Sequence, residues 1–259
     1  MLFRSRGYGG SFVGPVVVDH GGHTAREVGD EPLLLARALP TVVARDRVAG
    51  AAAARAAGAG IIVMDDGFQN PSLAKHLVIL MVDGTRGFGN GRVFPAGPLR
   101  APLEVQVARA HAIVIVGAGA EATRAEAAGR SHRVPVFHGR LVPDSGVLSS
   151  LAGRPVLAFA GIGHPEKFFA SLEAAGVMAP VRQRFPDHHR YTAGEAAALV
   201  REAESRGLTL LTTEKDLVRV SGDPAVSRLG QSARALPVTL VLHEQEDFRE
   251  FVLARLGKA

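Results

Sequence analysis

The chain is predicted to be an α/β protein, with a mainly parallel sheet carrying helices on both faces and a smaller α/β lobe at the C-terminal end. Three observations predict this. Short continuous apolar runs recur at residues 60–64, 76–82, 112–116, 155–160 and 208–212, the pattern of strands buried on both faces. Most are separated by helix-length stretches, and strands alternating with helices indicate parallel pairing. Finally, 259 residues that are 47% hydrophobic and 21% charged suffice for a sizeable core and exceed the usual size of one domain.

The elements follow in order. Met1-Leu2-Phe3 runs into Ser5-Arg6-Gly7-Tyr8-Gly9-Gly10, a turn-rich loop of the kind that follows a strand and helix already laid down. Residues 15–19 (PVVVD) read as a strand. Asp30 or Glu31 then starts a helix with Pro32 in its first turn, where proline is tolerated. Residues 41–44 form a short strand, 47–58 an Ala-rich helix and 60–64 (GIIVM) a strand that ends in Asp65-Asp66-Gly67. Residues 76–82 give the next strand, followed by a long Gly- and Pro-rich loop with Arg86, Arg92 and Arg100. Such loops inside compact domains are usually functional or disordered.

Residues 112–116 are a strand and 118–130 an exposed helix. Residues 134–137 and the polar turn Pro143-Asp144-Ser145-Gly146 break the alternation, which places a lobe boundary there and divides the chain into 1–145 and 146–259. Residues 155–160 restart a strand, Gly161-Ile162-Gly163 a turn and 168–175 a helix; residues 182–185 form a short strand. Thr192 with Glu195 is a capping box for a helix over 193–206. A strand at 208–212, a helix from 213, a strand at 236–242 and a helix at 244–256 complete the chain.

Composition narrows the function. A formal net charge of +5 favours anionic partners, yet no Lys/Arg-rich run or aromatic-interleaved basic patch occurs, so nucleic acid is not an expected partner. Without cysteine there is no disulfide framework, zinc ribbon or thiol nucleophile. No apolar run approaches the ~20 residues of a membrane span, and the first residues lack the apolar stretch of a signal peptide.

Asp65 and Asp66 emerge at the carboxyl end of a strand, where open α/β sheets bind ligands. With Asp30 and Glu31 they supply oxygen ligands suited to Mg²⁺ and unsuited to zinc. Alternate strand residues face opposite sides, so the two aspartates share a role only if the strand has already turned. Asp30 also reads as a simple helix cap, worth about 1 kcal/mol. His188 and His189 lie beside Asp187 ahead of the capped helix, and an imidazole titrates near working pH. Lys215 sits at a strand-to-helix turn, where it meets either an anion or its neighbours Glu214 and Asp216. The phosphate loop G-x-x-x-x-G-K-[ST], the usual companion of a strand-end acid of this kind, does not occur; the only Gly-Lys is Gly257-Lys258.

These residues fall into blocks: Ser5-Arg6-Gly7-Tyr8-Gly9, Val28-Gly29-Asp30-Glu31-Pro32, Asp65-Asp66-Gly67-Phe68-Gln69, Gly87-Phe88-Gly89-Asn90-Gly91-Arg92, Pro95-Ala96-Gly97-Pro98-Leu99-Arg100, Phe185-Pro186-Asp187-His188-His189 and Thr212-Thr213-Glu214-Lys215-Asp216. Over nearly the whole chain they resemble, in order, the tetraacyldisaccharide 4'-kinase family, the lipid A 4'-kinases. The resemblance implies a P-loop-kinase-like fold and a peripheral enzyme on the cytoplasmic face of the bacterial inner membrane. Its partners would be that membrane surface and the lipid A disaccharide precursor. It would use ATP and Mg²⁺ to phosphorylate the 4'-hydroxyl of a tetraacyl glucosamine disaccharide 1-phosphate.

By the same resemblance Asp30 is the catalytic base and His188 its partner, and Asp65 and Asp66 are the Walker B acids at the nucleotide and metal. Glu31 helps order Mg²⁺, and Arg6, Gln69, Asn90 and Arg92 contact the lipid headgroup and its phosphate. Family members carry an amphipathic N-terminal helix and then the phosphate loop, so this chain is expected to be an N-terminally truncated relative. Two other readings stand beside the kinase: an inactive remnant that keeps a lipid-disaccharide surface, and a metal-dependent phosphohydrolase built on Asp65 and Asp66.

Overall fold

The computed structural model describes residues 1–257. In chain order the strands are β1 (Leu2–Ser5), β2 (Val16–Val17), β3 (Thr41–Val43), β4 (Ile62–Met64), β5 (Ile79–Asp83), β6 (Ala112–Val116), β7 (Val136–Pro143), β8 (Val156–Ala160), β9 (Val181–Arg184), β10 (Thr209–Thr213), β11 (Arg234–Leu236) and β12 (Val238–Leu242). The α-helices are α1 (Ala25–Val28), α2 (Asp30–Ala38), α3 (Arg47–Ala56), α4 (Leu103–Arg109), α5 (Ala120–Ser131), α6 (Ser145–Ser150), α7 (Pro165–Ala174), α8 (Ala193–Arg206), α9 (Glu214–Val220), α10 (Ser227–Ser232) and α11 (Gln245–Leu256).

The strands form three four-stranded sheets, ordered β2-β3-β1-β4, β11-β10-β8-β9 and β12-β7-β6-β5. The second sheet is parallel throughout, and in the first only the β2–β3 pair is antiparallel. Each sheet is covered on both faces, as expected from its continuous apolar strands. In the second, Leu157 and Phe159 point to a core with Leu199 and Val200 of α8, while Val156, Ala158 and Ala160 point to another with Phe169 and Leu172 of α7. In the third, Ile113 and Ile115 pack with Val107 and Ala125, and Ala112 and Val114 with Phe137, Phe248 and Phe251. The α/β architecture with mainly parallel strands therefore stands, distributed over three sheets.

The chain divides into two compact units. One consists of Met1–Asp66 with Pro143–Pro237; the other consists of Gly67–Val142 with the chain from Val238 onward. This differs from consecutive lobes at 1–145 and 146–259: the crossing near Pro143 is present, but the chain leaves the first unit after Asp66 and later returns to it.

Other differences have local causes. The expected N-terminal loop begins with β1, the strand between β3 and β4. Arg4 hides it in the sequence: this charged residue is fully buried, its Nη2 donating to Ala44 O at 2.6 Å, and burial followed by the neighbouring Arg47 lowers its pKa to about 10. Residues 15–19 contribute only the two-residue β2. The run 236–242 divides at Pro237, which has no N–H for a ladder, into β11 and β12 of different sheets. The helix expected from residue 168 starts at Pro165, in the first turn where proline fits. Helix α1 went unforeseen although Thr24 and Glu27 form a capping box.

Candidate active site

The first unit gathers its polar residues at the carboxyl ends of parallel strands. β1 pairs with β4 in the register Arg4 to Met64, so Ser5 and Asp65 leave the sheet side by side, with Ser5 Oγ donating to Asp65 Oδ2 at 3.3 Å. Asp66 has already turned, with φ of 47°. The two aspartates therefore do not alternate across a sheet. Asp66 O accepts a hydrogen bond from Arg47 at 2.9 Å. The Asp65 pKa is raised, first by burial and then by the charges of Glu31 and Asp66, which outweigh the Ser5 hydrogen bond and Lys215.

Gly29, with φ of 92°, ends α1 and starts α2. A side chain there would bring its Cβ within 2.7 Å of Tyr8 O, so glycine lets the Tyr8 loop close over this junction. Asp30 is the first residue of α2 and only 4% exposed. Its Oδ1 accepts the Glu31 amide at 3.0 Å, and its Oδ2 faces Arg219 and, at 3.4 Å, His188 Nδ1. Asp30 is thus not the cap of α2, a position that Gly29 holds. Burial pushes its pKa up, but the Arg219 charge and hydrogen bond, with His188 behind them, bring it below the ordinary carboxylate value.

His188 has φ of 54°, a rare conformation for a non-glycine residue, and its ring lies 5.1 Å from that of Tyr8. Its neighbour His189 turns away, bonding Glu195 at 3.0 Å and stacking on Phe185 at 4.8 Å. The pair therefore splits into one histidine at Asp30 and one in the structure of the α8 start. An open cleft is lined by Tyr8, Arg26, Asp30, His188, Arg190 and Arg219, among others.

Helix α9 completes the site. Thr213 caps it by accepting the Asp216 amide at 3.2 Å. Lys215 Nζ reaches Glu31 Oε1 at 2.6 Å rather than its neighbours Glu214 and Asp216. Arg219 Nε donates to Asp30 Oδ2 at 2.7 Å, and its Nη1 donates to Asp216 Oδ1 at 2.8 Å. Asp216 is fully buried; it also accepts from Tyr191 Oη at 2.9 Å, the Gly161 amide at 3.1 Å and Thr213 Oγ1 at 2.7 Å. Burial and the adjacent Asp216 charge push the Tyr191 hydroxyl far above its ordinary pKa, so it remains a donor.

Of the residues singled out from the sequence, Asp30, His188, Glu31, Asp65, Asp66 and Arg6 lie in this unit. Arg6 is exposed. Gln69, Asn90 and Arg92 belong to the other unit. There Asn90 braces its own loop, donating to Ala96 O at 2.8 Å and accepting the Arg92 amide at 3.1 Å. Gln69 donates to Gln106 Oε1 at 3.1 Å and accepts from Arg100 at 3.4 Å. Sequence reasoning missed Arg219, Asp216 and Tyr191; the only signal was Asp216 within the Thr212-Thr213-Glu214-Lys215-Asp216 block.

A family model described as Tetraacyldisaccharide-1-P 4'-kinase matches residues 2–257. The chain belongs to the tetraacyldisaccharide-1-P 4'-kinase family. A tetraacyldisaccharide 4'-kinase of Rhodopseudomonas palustris (strain BisA53) is 54% identical over 255 residues, covering 98% of this chain and 74% of the relative. One from Methylobacterium sp. (strain 4-46) is 56% identical over 240 residues, or 93% of this chain and 70% of the relative. One from Bradyrhizobium sp. (strain BTAi1 / ATCC BAA-1182) is 50% identical over 259 residues, with 98% and 74% covered. No solved structure matches. The tetraacyldisaccharide-1-P 4'-kinase family expected from the motif blocks is thus borne out, and this is a family of phosphotransferases.

Proposed function

We propose that this chain phosphorylates the 4'-hydroxyl of a tetraacylated glucosamine disaccharide 1-phosphate, with ATP as donor and Mg²⁺ as cofactor, at the cytoplasmic face of the bacterial inner membrane. The observation that carries this reading is Asp30: a buried carboxylate on an open cleft, with His188 beside one of its oxygens. Oδ2 is occupied by Arg219, whereas Oδ1 accepts the Glu31 amide and, as a carboxylate oxygen, retains a lone pair for a substrate hydroxyl. Phosphoryl transfer asks little covalent chemistry of a protein, so placement and one proton acceptor are the main requirements. Asp30 accepts the hydroxyl proton at Oδ1. His188, near Oδ2, steadies the charge as it changes.

The residues present fit a magnesium ion. Burial, Glu31 and Asp66 all raise the Asp65 pKa, so the crowded carboxylates favour a cation. With phosphates Mg²⁺ takes only one or two protein carboxylates. Asp65 and Asp66, with Glu31 beside them, would hold the ion, and the ion would neutralise charge on the transferred phosphoryl group. Among the described residues no helix is long and apolar enough to cross a membrane. Peripheral attachment fits a substrate whose acyl chains remain in the bilayer. Arg6 is proposed to contact its headgroup phosphate.

Replacing Asp30→Asn tests the reading. Turnover should fall by about 10²–10⁴-fold, the usual worth of a positioned base, with ATP affinity nearly unchanged. An unchanged rate removes Asp30 from the chemistry. Mg²⁺-dependent phosphate release without disaccharide acceptor would instead favour a phosphohydrolase.

A further inference from the structure

We propose that Arg219 is a positioning residue for Asp30, locking one carboxylate oxygen so that the other meets the acceptor hydroxyl. This rests on the reading of Asp30 as the proton acceptor. The Arg219 side chain is 7% exposed and that of Asp30 5%. Its Nε and Nη2 both lie on Asp30 Oδ2, at 2.7 and 2.5 Å. Its Nη1 lies 2.8 Å from Asp216 Oδ1 and 2.5 Å from Gly161 O. The guanidinium therefore spans two carboxylates and a backbone carbonyl at once.

The far end of this bridge is itself anchored. Gly161 follows β8 and Thr213 ends β10, adjacent parallel strands of one buried sheet, and both bond Asp216. The Tyr191 hydroxyl holds Asp216 as well. Arg219 is thus fixed by the sheet, and Asp30 by Arg219. With Oδ2 taken, the Asp30 carboxylate cannot swing about its side-chain axis, and the remaining acceptor position on Oδ1 stays at one place on the cleft. Fixing a reacting group in advance is the kind of help phosphoryl transfer uses most.

Lysine cannot replace this arrangement. An ammonium keeps the charge but has no planar fork able to hold Asp30, Asp216 and Gly161 together. A residue needed only for charge or stability would accept Arg219→Lys. A positioning residue would not.

The test measures transfer from ATP to the disaccharide by the purified protein, its Arg219→Lys and Arg219→Ala variants, and Arg228→Ala as a surface control. Alongside, the Arg219 Nε–H resonance is followed by ¹⁵N NMR. Positioning predicts that Arg219→Lys melts close to the parent protein yet loses about 10²-fold in kcat with little change in KM, the scale expected of a small displacement of a reacting group. Added guanidinium should partly restore Arg219→Ala, and Arg228→Ala should match the parent. A kcat for Arg219→Lys within about threefold of the parent, or a loss confined to KM, overturns the proposal. The NMR reading does not depend on activity: a slowly exchanging Nε–H that is lost in Asp30→Asn supports the lock, and a freely exchanging one in the parent overturns it. If the lock is present but the parent transfers no phosphate, the kinase reading fails while the hold of Arg219 on Asp30 stands.

Discussion

The Tyr191 hydroxyl donates to Asp216 Oδ1 at 2.9 Å, joining the segment before α8 to the first turn of α9. Removing that hydroxyl leaves Asp216 with Thr213, the Gly161 amide and Arg219, so Tyr191→Phe should cost about 1 kcal/mol, one net hydrogen bond. Removing the carboxylate strands every one of those partners, and Asp216→Ala should cost about 3–5 kcal/mol, as when one member of a buried pair is lost. Urea midpoints of the two variants check the order. Equal losses would mean that the carboxylate does not hold this junction.

Gly29→Ala should destabilise the α1–α2 junction by about 1–3 kcal/mol, the usual cost of forcing an L-residue into a positive-φ position. The new Cβ would also lie 2.7 Å from Tyr8 O, so the Tyr8 loop must shift away from the start of α2. Thermal melting would show the loss, and the His188 ring resonances should move, because that ring packs on Tyr8.

His138 is held between two glutamates, with Nδ1 on Glu244 and Nε2 on Glu126, both at 3.0 Å. Burial lowers its pKa, but the hydrogen bonds and charges of the two glutamates outweigh that and lift it above the ordinary 6.5. A raised folded-state pKa stabilises fully below 6.5 and loses that contribution as pH rises through the folded value. Burial raises the Glu244 pKa, but the bonds from His138 bring it below 4.5, so its contribution is present above 4.5 and fades as pH falls through the lower folded value. The stability advantage of the parent over His138→Gln should therefore be full below pH 6.5 and shrink as pH rises above it, read as the difference in melting midpoints. A difference that stays constant over that rise would show that the imidazolium contributes nothing.

Leu210 and Leu211 are consecutive residues of β10 that enter different cores, one with α8 and the other with Leu172 of α7. Leu211→Ala should cost about 2–5 kcal/mol, since the side chain is fully buried. Leu240 in β12 is 37% exposed, and its replacement by alanine should cost less than about 1 kcal/mol. Chemical denaturation would separate the two cases.

Much of this was readable in the sequence. The strand at 112–116 and the helix at 193–206 occur with the expected bounds, because a plain apolar run and a capping box each act locally. Asp30 and His188 were legible as residues of interest, but the arginine that pairs with Asp30 was not. Nothing in local spacing shows that Arg219 reaches Asp30, 189 positions away. β1 was hidden by the buried charge of Arg4, and β11 and β12 were merged because an apolar run does not show where its halves go. Apart from α1, whose capping box was overlooked, what failed was set by long-range pairing, and what succeeded was set by propensity and caps.

The return of the chain to its first unit sets an order of assembly. Asp30 and Glu31 are made early, and the cations that meet them, Arg219 and Lys215, come 189 and 184 positions later. At roughly 5–20 residues per second, a ribosome leaves on the order of ten seconds or more between them. During that interval the acids lack these cations, and all of the second unit's first segment, Gly67–Val142, is synthesised. Translation thus supplies the acid pair's cations late, and a chain that ended before Arg219 would leave the Asp30 carboxylate without its lock.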